Sequence, residues 1–155
     1  MKKIIIFGTG ELAQRIFFYL QDSDDQVIAF CANKSKIEKE KLLDLPIIAF
    51  ETIEEKFPPD ECSMFIALAY SEMNKKRAKF FEEAKNKGYE LYSYIHPSTK
   101  IWDKFEMGEN CFILANNVIQ PFVKIGNNVL IGSNNLISHN TIIDDNCFIT
   151  SNVTM

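Results

Sequence analysis

The chain has 155 residues, 46% of them hydrophobic, and a formal net charge of −4. That supplies core for one or two small domains, and the lack of a Lys/Arg-rich patch argues against nucleic acid as a partner. No apolar run approaches the roughly 18 residues of a membrane span, "MKKIIIFGTG" has no cleavable export signal, and Cys31, Cys62, Cys111 and Cys147 show no metal-ligand spacing, so a cytoplasmic protein with reduced thiols, no metal and no membrane insertion is expected.

In chain order, the first segment alternates short apolar runs with helical patterns. "KKIIIFG", "VIAFC", "PIIAF", "SMFIALAY" and "ELYSYI" read as buried strands. "ELAQRIFFYL" puts Leu12, Ile16, Phe17 and Leu20 on one helical face. "SEMNKKRAKFFEEAKNKGY" reads as a second amphipathic helix, with Met73, Ala78, Phe80, Phe81 and Ala84 inward and Gly88 as its stop. Strands alternating with helices predict an α/β unit with a small Rossmann-like parallel sheet.

Between the first strand and the first helix, "FGTGELA" fits G-x-G-x-x-G/A through Gly8, Gly10 and Ala13. Such a turn lets backbone approach a phosphate at a helix N-terminus, or it is a tight turn with no ligand. A nicotinamide dinucleotide would also want an acid near the end of strand two to hold the ribose. "CAN", residues 31–33, offers none, which argues against NAD(P).

After "HPSTK" the periodicity changes. Steps of six from Ile101 reach Met107, Ile113, Ile119, Ile125, Ile131, Ile137, Ile143, Ile149 and Met155 without interruption. Four residues beyond each lies a mostly small or β-branched residue, such as Cys111, Val123 or Val129. Asparagine occurs ten times from residue 101 on and three times before it, which suits corners that need left-handed backbone. A six-residue period with one aliphatic position predicts a hexapeptide β-helix of three coils, about 18 residues each. His96, before Pro97, reads as a junction residue. On the residues alone, His139 in "ISHNTI" is a solvated corner histidine two places past an inward Ile.

A glycine-turn α/β domain, then "IHPS", then coils carrying "ISHNTIIDDNCFI", resembles the family of sialic acid O-acetyltransferases and nucleotide-aminosugar N-acetyltransferases, over the whole chain. The resemblance implies residues 1–97 as a nucleotide-sugar-binding domain and 98–155 as part of a left-handed parallel β-helix, in a homotrimer with active sites between subunits. It implies that Gly8, Thr9, Gly10 and Glu11 hold the nucleotide, with Asn33, Leu68, Ala69 and Tyr70 close by. It makes His139 the general base with Asn140 beside it, where relatives often carry Glu or Asp, and Phe148 a contact for the co-substrate acetyl-CoA. Exposed apolar residues such as Val118, Phe122 and Leu136 would face a neighbouring subunit.

The expected activity is N-acetylation of a nucleotide-linked amino sugar in surface polysaccharide or glycan biosynthesis. O-acetylation of a sugar hydroxyl stays open. Because family members carry further coils past Met155, a truncated form is also expected, with most of the acetyl-CoA site and the oxyanion donor beyond it. A non-catalytic nucleotide-sugar-binding module is therefore a third reading.

Overall fold

The structure, a computed structural model, describes all residues from Met1 to Met155. It divides into two compact units, Met1–Ser71 with Lys75–Tyr92, and Glu72–Asn74 with Ser93–Met155.

The first unit is α/β. Its elements are β1 (Lys3–Phe7), α1 (Glu11–Leu20), β2 (Gln26–Ala32), β3 (Lys41–Leu42), β4 (Leu45–Ala49), α2 (Ile53–Lys56), β5 (Ser63–Ile66) and α3 (Lys75–Asn86). The sheet order is β3-β4-β2-β1-β5, parallel except for the short β3–β4 pair. β1 is flanked by β2 and β5, so the chain reverses its winding direction at β1, which opens a crevice at the strands' C-terminal ends. Ile4, Ile5 and Ile6 are wholly buried, as a central strand covered on both faces requires. α1 buries Leu12, Ala13, Ile16 and Leu20, close to the expected face, while Phe17 is half-buried.

Two expectations change here. Met73 does not face the core. It is 76% exposed, and Glu72, Met73 and Asn74 have φ values of 48°, 53° and 61°, so left-handed backbone interrupts the helical pattern. The inward place on α3 is taken by Arg77, 1% exposed, whose Nε donates to the Ile66 carbonyl at 3.3 Å. The stretch "ELYSYI" also divides. Leu91 bridges Met64 at the edge of the sheet, whereas Tyr94–Ile95 forms the first rung of the coils. The compact units accordingly part between Tyr92 and Ser93, five residues ahead of the expected 97/98 boundary.

The second unit is a left-handed parallel β-helix of two-residue strands: β6 (Tyr94–Ile95), β7 (Lys100–Ile101), β8 (Glu106–Met107), β9 (Phe112–Ile113), β10 (Val118–Ile119), β11 (Lys124–Ile125), β12 (Leu130–Ile131), β13 (Leu136–Ile137), β14 (Ile142–Ile143) and β15 (Phe148–Ile149). They stack into three faces, β7-β10-β13, β8-β11-β14 and β6-β9-β12-β15. Ile101, Ile119 and Ile137 pair in one column, which Met155 continues through backbone hydrogen bonds to Leu136 and Ser138. Ile113, Ile119 and Ile137 are wholly buried, each contributing on the order of 1.5–3 kcal/mol of burial.

The corners explain the asparagines. Residues 104, 110, 116, 122, 128, 134, 140, 146 and 152 all have φ between 55° and 64°, and seven of the nine are Asn, the exceptions being Lys104 and Phe122. A short amide side chain tolerates this backbone better than most. At one corner the amides also chain together, Asn110 Nδ2 donating to Asn128 Oδ1 and Asn128 Nδ2 to Asn146 Oδ1, both at 2.7 Å. Asn117 and Asn135 point inward instead, 1% and 2% exposed. Their Oδ1 atoms accept the backbone N–H groups of Asn135 and Val153 one coil above, so neither buried amide is left unpaired.

Candidate functional site

Each unit carries one candidate region. In the α/β unit, the ends of β1, β2 and β5 and one wall of α3 enclose a cleft of about 490 Å³, within the usual range for small-molecule sites. Gly8, Thr9, Gly10, Asn33 and Leu68 line it, together with Ser35, Lys36, Lys76, Lys79 and Phe80. Five of the eight sequence-derived nucleotide residues are thus brought together. Glu11, Ala69 and Tyr70 are exposed and are not among the lining residues.

The two glycines serve different ends. Gly8 has φ +127°, and a Cβ there would stand 2.8 Å from the Ala67 carbonyl oxygen, so Gly8 is needed for the close passage of β1 beside β5. Gly10 is extended, φ −82° and ψ −172°, and nothing lies within 4 Å of a Cβ built on it. It is the N-cap of α1 and no side chain caps that end, so the first-turn N–H groups remain available to an acceptor.

The turn directly after β2, residues 33–36, contains no acid, but Glu51 approaches it from the end of β4. Its carboxylate accepts the Lys34 N–H at 2.9 Å and 3.2 Å, holding the turn that carries Lys36. Sequence reasoning missed Lys36, Lys76 and Lys79 because they converge from separate segments, with no spacing that announces them.

In the coil unit, His139 is exposed at the corner between β13 and β14. Its backbone N–H donates to Gln120 Oε1 at 2.9 Å, which ties this corner to the coil below. The Asn140 side-chain amide lies 2.9 Å from His139 Nδ1. Asn140 itself has φ 60°, so its identity follows first from the left-handed corner and only then from the histidine. This is also the corner whose lower coils carry Lys104 and Phe122, where the other two corners carry only Asn. Phe148 is 49% exposed on a different face of the prism, above Leu130 and Phe112. A single chain does not bring Phe148 to His139. His96 makes a local turn, its Nδ1 meeting Ser98 Oγ at 2.9 Å and the Ser98 N–H at 3.1 Å, as a junction residue would.

Residues 106–139 and 122–155 match the family model described as bacterial transferase hexapeptide (six repeats). Both matched stretches lie within the coil unit. Solved proteins extend the hexapeptide likeness to the α/β unit. The acetyltransferase domain of PglB from Neisseria gonorrhoeae FA1090 superposes with a TM-score of 0.82 at 16% identity, over 99% of this chain and 73% of that one, and has also been solved with acetyl coenzyme A. PerB from Caulobacter crescentus, in complex with CoA and GDP-perosamine, gives 0.66 at 20% identity over 96% and 68%. WeeI from Acinetobacter baumannii AYE gives 0.57 at 16% identity over 99% and 74%. At these identities the likeness is one of fold. None of the curated proteins compared with the chain matches it. No helix is long and apolar enough to cross a membrane.

Proposed function

We propose that the protein is an acetyl-CoA-dependent acetyltransferase that N-acetylates a nucleotide-linked amino sugar in surface polysaccharide or glycan biosynthesis, in the cytoplasm and as a homotrimer. The observation that carries it is the exposed His139 with the Asn140 amide on its Nδ1, borne on coils that match the bacterial transferase hexapeptide family. The ligands of similarly folded proteins, CoA with GDP-perosamine in one and acetyl coenzyme A in another, support the choice of co-substrate and substrate class.

The chemistry then runs through one proton. A base needs Nε2 bare, so Nδ1 must keep its hydrogen; the Asn140 amide, whose Nδ2 stands at Nδ1 in the structure, serves this by a flip that presents Oδ1 instead, since its two ends are alike in shape. The neutral sugar amine attacks the thioester carbonyl as Nε2 takes its proton, the C–N bond forms and the C–S bond breaks. The imidazolium returns the proton to the departing CoA thiolate. Such base catalysis is worth roughly 10²–10⁴-fold. The direct test is acetyl transfer from acetyl-CoA to UDP-, dTDP- and GDP-linked amino sugars in the full-length protein. No transfer to any of them, with transfer to a sugar hydroxyl, would establish the O-acetylation reading instead. Phe122, 46% exposed, and the half-buried Val118 and Leu136 suit a covering neighbour. A monomer by sedimentation at micromolar concentration would exclude the trimer.

The glycine turn gives a sharper test. Gly10→Val should fold, since the space is open and the backbone ordinary, at a capping cost of roughly 1 kcal/mol. Calorimetric titration should nevertheless show nucleotide-sugar binding abolished, because the isopropyl group stands where phosphate approaches the α1 N–H groups. Gly8→Val should instead lower the melting temperature, from its collision with Ala67. A Gly10→Val protein that binds as the parent does would remove the nucleotide from this cleft.

A further inference from the structure

We propose that Lys36, Lys76 and Lys79 grip the diphosphate of the nucleotide sugar, and so set the preference of the cleft for two phosphates over one. This rests on the nucleotide-sugar reading above and adds to it three residues that no motif marks. Lys36 comes from the turn after β2, while Lys76 and Lys79, three apart on α3, project from one face of that helix. The three line the cleft from two walls, with the Gly8–Gly10 turn between them.

The charge balance points to an anion of more than one charge. Three ammonium groups line the cleft and no carboxylate does. Glu51, which approaches the turn after β2, is engaged by the Lys34 N–H. The adjoining cleft of about 230 Å³, which shares Thr9 and Lys36 with this one, does carry an acid, Glu38. That cleft also carries Lys39 and Lys41, so positive charge continues past Lys36, but only the side facing the glycine turn is without a carboxylate. Lys79 has a 3.6 Å surface pair with Glu83 and a place 5.7 Å over the Phe80 ring, and such exposed contacts hold little energy. A diphosphate diester carries two negative charges and offers oxygens to both walls, whereas a monophosphate diester carries one and reaches fewer donors.

The experiment is calorimetric titration of wild type, the single Lys→Gln variants and the K36Q/K76Q/K79Q triple variant. The probes are GDP, UDP and dTDP, each beside its monophosphate and its nucleoside. Lys85→Gln, on the same helix and outside the cleft, serves as the control, and circular dichroism melts check the fold. The triple variant should lose roughly 100-fold in diphosphate affinity, as expected for several charge-assisted contacts. Its nucleoside affinity should stay within about threefold, and its diphosphate-to-monophosphate ratio should fall toward one. Wild-type binding should weaken with added salt more steeply than that of the variant. Wild type that binds a diphosphate, with a triple variant that binds it equally well, would overturn the clamp and leave the nucleotide reading intact. Equal loss of diphosphate and nucleoside would also overturn it, because the lysines would then only shape the cleft. Wild type that binds none of the nine probes would overturn the nucleotide-sugar reading itself, and the clamp with it.

Discussion

Ile119→Asp is expected to unfold the coils. Ile119 is wholly buried, with Ile101 and Ile137 directly below and above it in the same column. The interior around it is Ile, Val, Cys, Met and Phe, with the inward amides of Asn117 and Asn135 already engaged and no cation to meet a carboxylate. The change forfeits about 1.5–3 kcal/mol of burial and adds the cost of an unpaired buried charge, so several kcal/mol in all. Against a total stability of about 5–15 kcal/mol, that is most of what holds a small unit folded. A thermal melt should fall by on the order of 10–20 °C or lose its coil transition. Ile119→Val, which removes one methylene, should cost about 1 kcal/mol. Lys124→Gln, which breaks only an exposed 3.2 Å pair with Glu106, should cost almost nothing. An Ile119→Asp protein melting within a degree or two of its parent would show that the isoleucine does not face inward.

The second large effect is catalytic. His139→Ala should lower kcat by roughly 10²-fold or more in the full-length protein while nucleotide-sugar affinity stays nearly unchanged. The side chain is exposed and its anchorage to Gln120 runs through the backbone N–H, so alanine leaves the corner intact. Asn140→Asp makes the companion measurement. Asp tolerates the left-handed corner about as well as Asn, and it sets a carboxylate where the amide now meets Nδ1. A neighbouring negative charge favours the imidazolium and raises the histidine pKa. The base must be neutral to act, so the acid limb of the kcat profile should move to higher pH. A structural histidine would leave that limb in place. Turnover that survives His139→Ala within a few-fold would make His139 a bystander.

Much of the coil was legible in sequence because its signal is one residue type at one interval. The unbroken run from Ile101 to Met155 has the period, the inward face and the stacking partners already in it. One further step of six back from Ile101 reaches Ile95, which proves to be the first rung, but "HPSTK" disguised the continuity. The α/β unit was harder. Helical periodicity ran smoothly from Met73 into α3, and only the positive φ values of residues 72–74 reveal that the helix starts later. Arg77 was unreadable as a core residue because charge is ordinarily taken as an outward mark. The β3–β4 hairpin turns on Leu43 and Asp44, at φ 49° and 64°, with neither Gly nor Asn to announce it. In the cleft, the glycines were visible as a local motif. The lysines became visible only when folding brought the turn after β2 against α3.

The repeat spacing also governs how the molecule comes apart. In the coil unit the strand pairs join residues 18 positions apart, as Lys100 with Val118 and Val118 with Leu136, whereas β1 pairs β5 across a far longer loop, Ile4 with Ser63. Closing a loop of fixed, modest length costs the same entropy at each step, so the coil behaves as a one-dimensional stack in which each layer answers only to its neighbours. Amide exchange should then be graded by layer. It should be slowest around Ile119 and Ile131, where burial is nearly complete, and faster toward Ile101, whose strand has a partner on one side only. The α/β sheet has no such ladder of intermediate states. Its central strand gains its partners from distant parts of the chain, so it should open as a block.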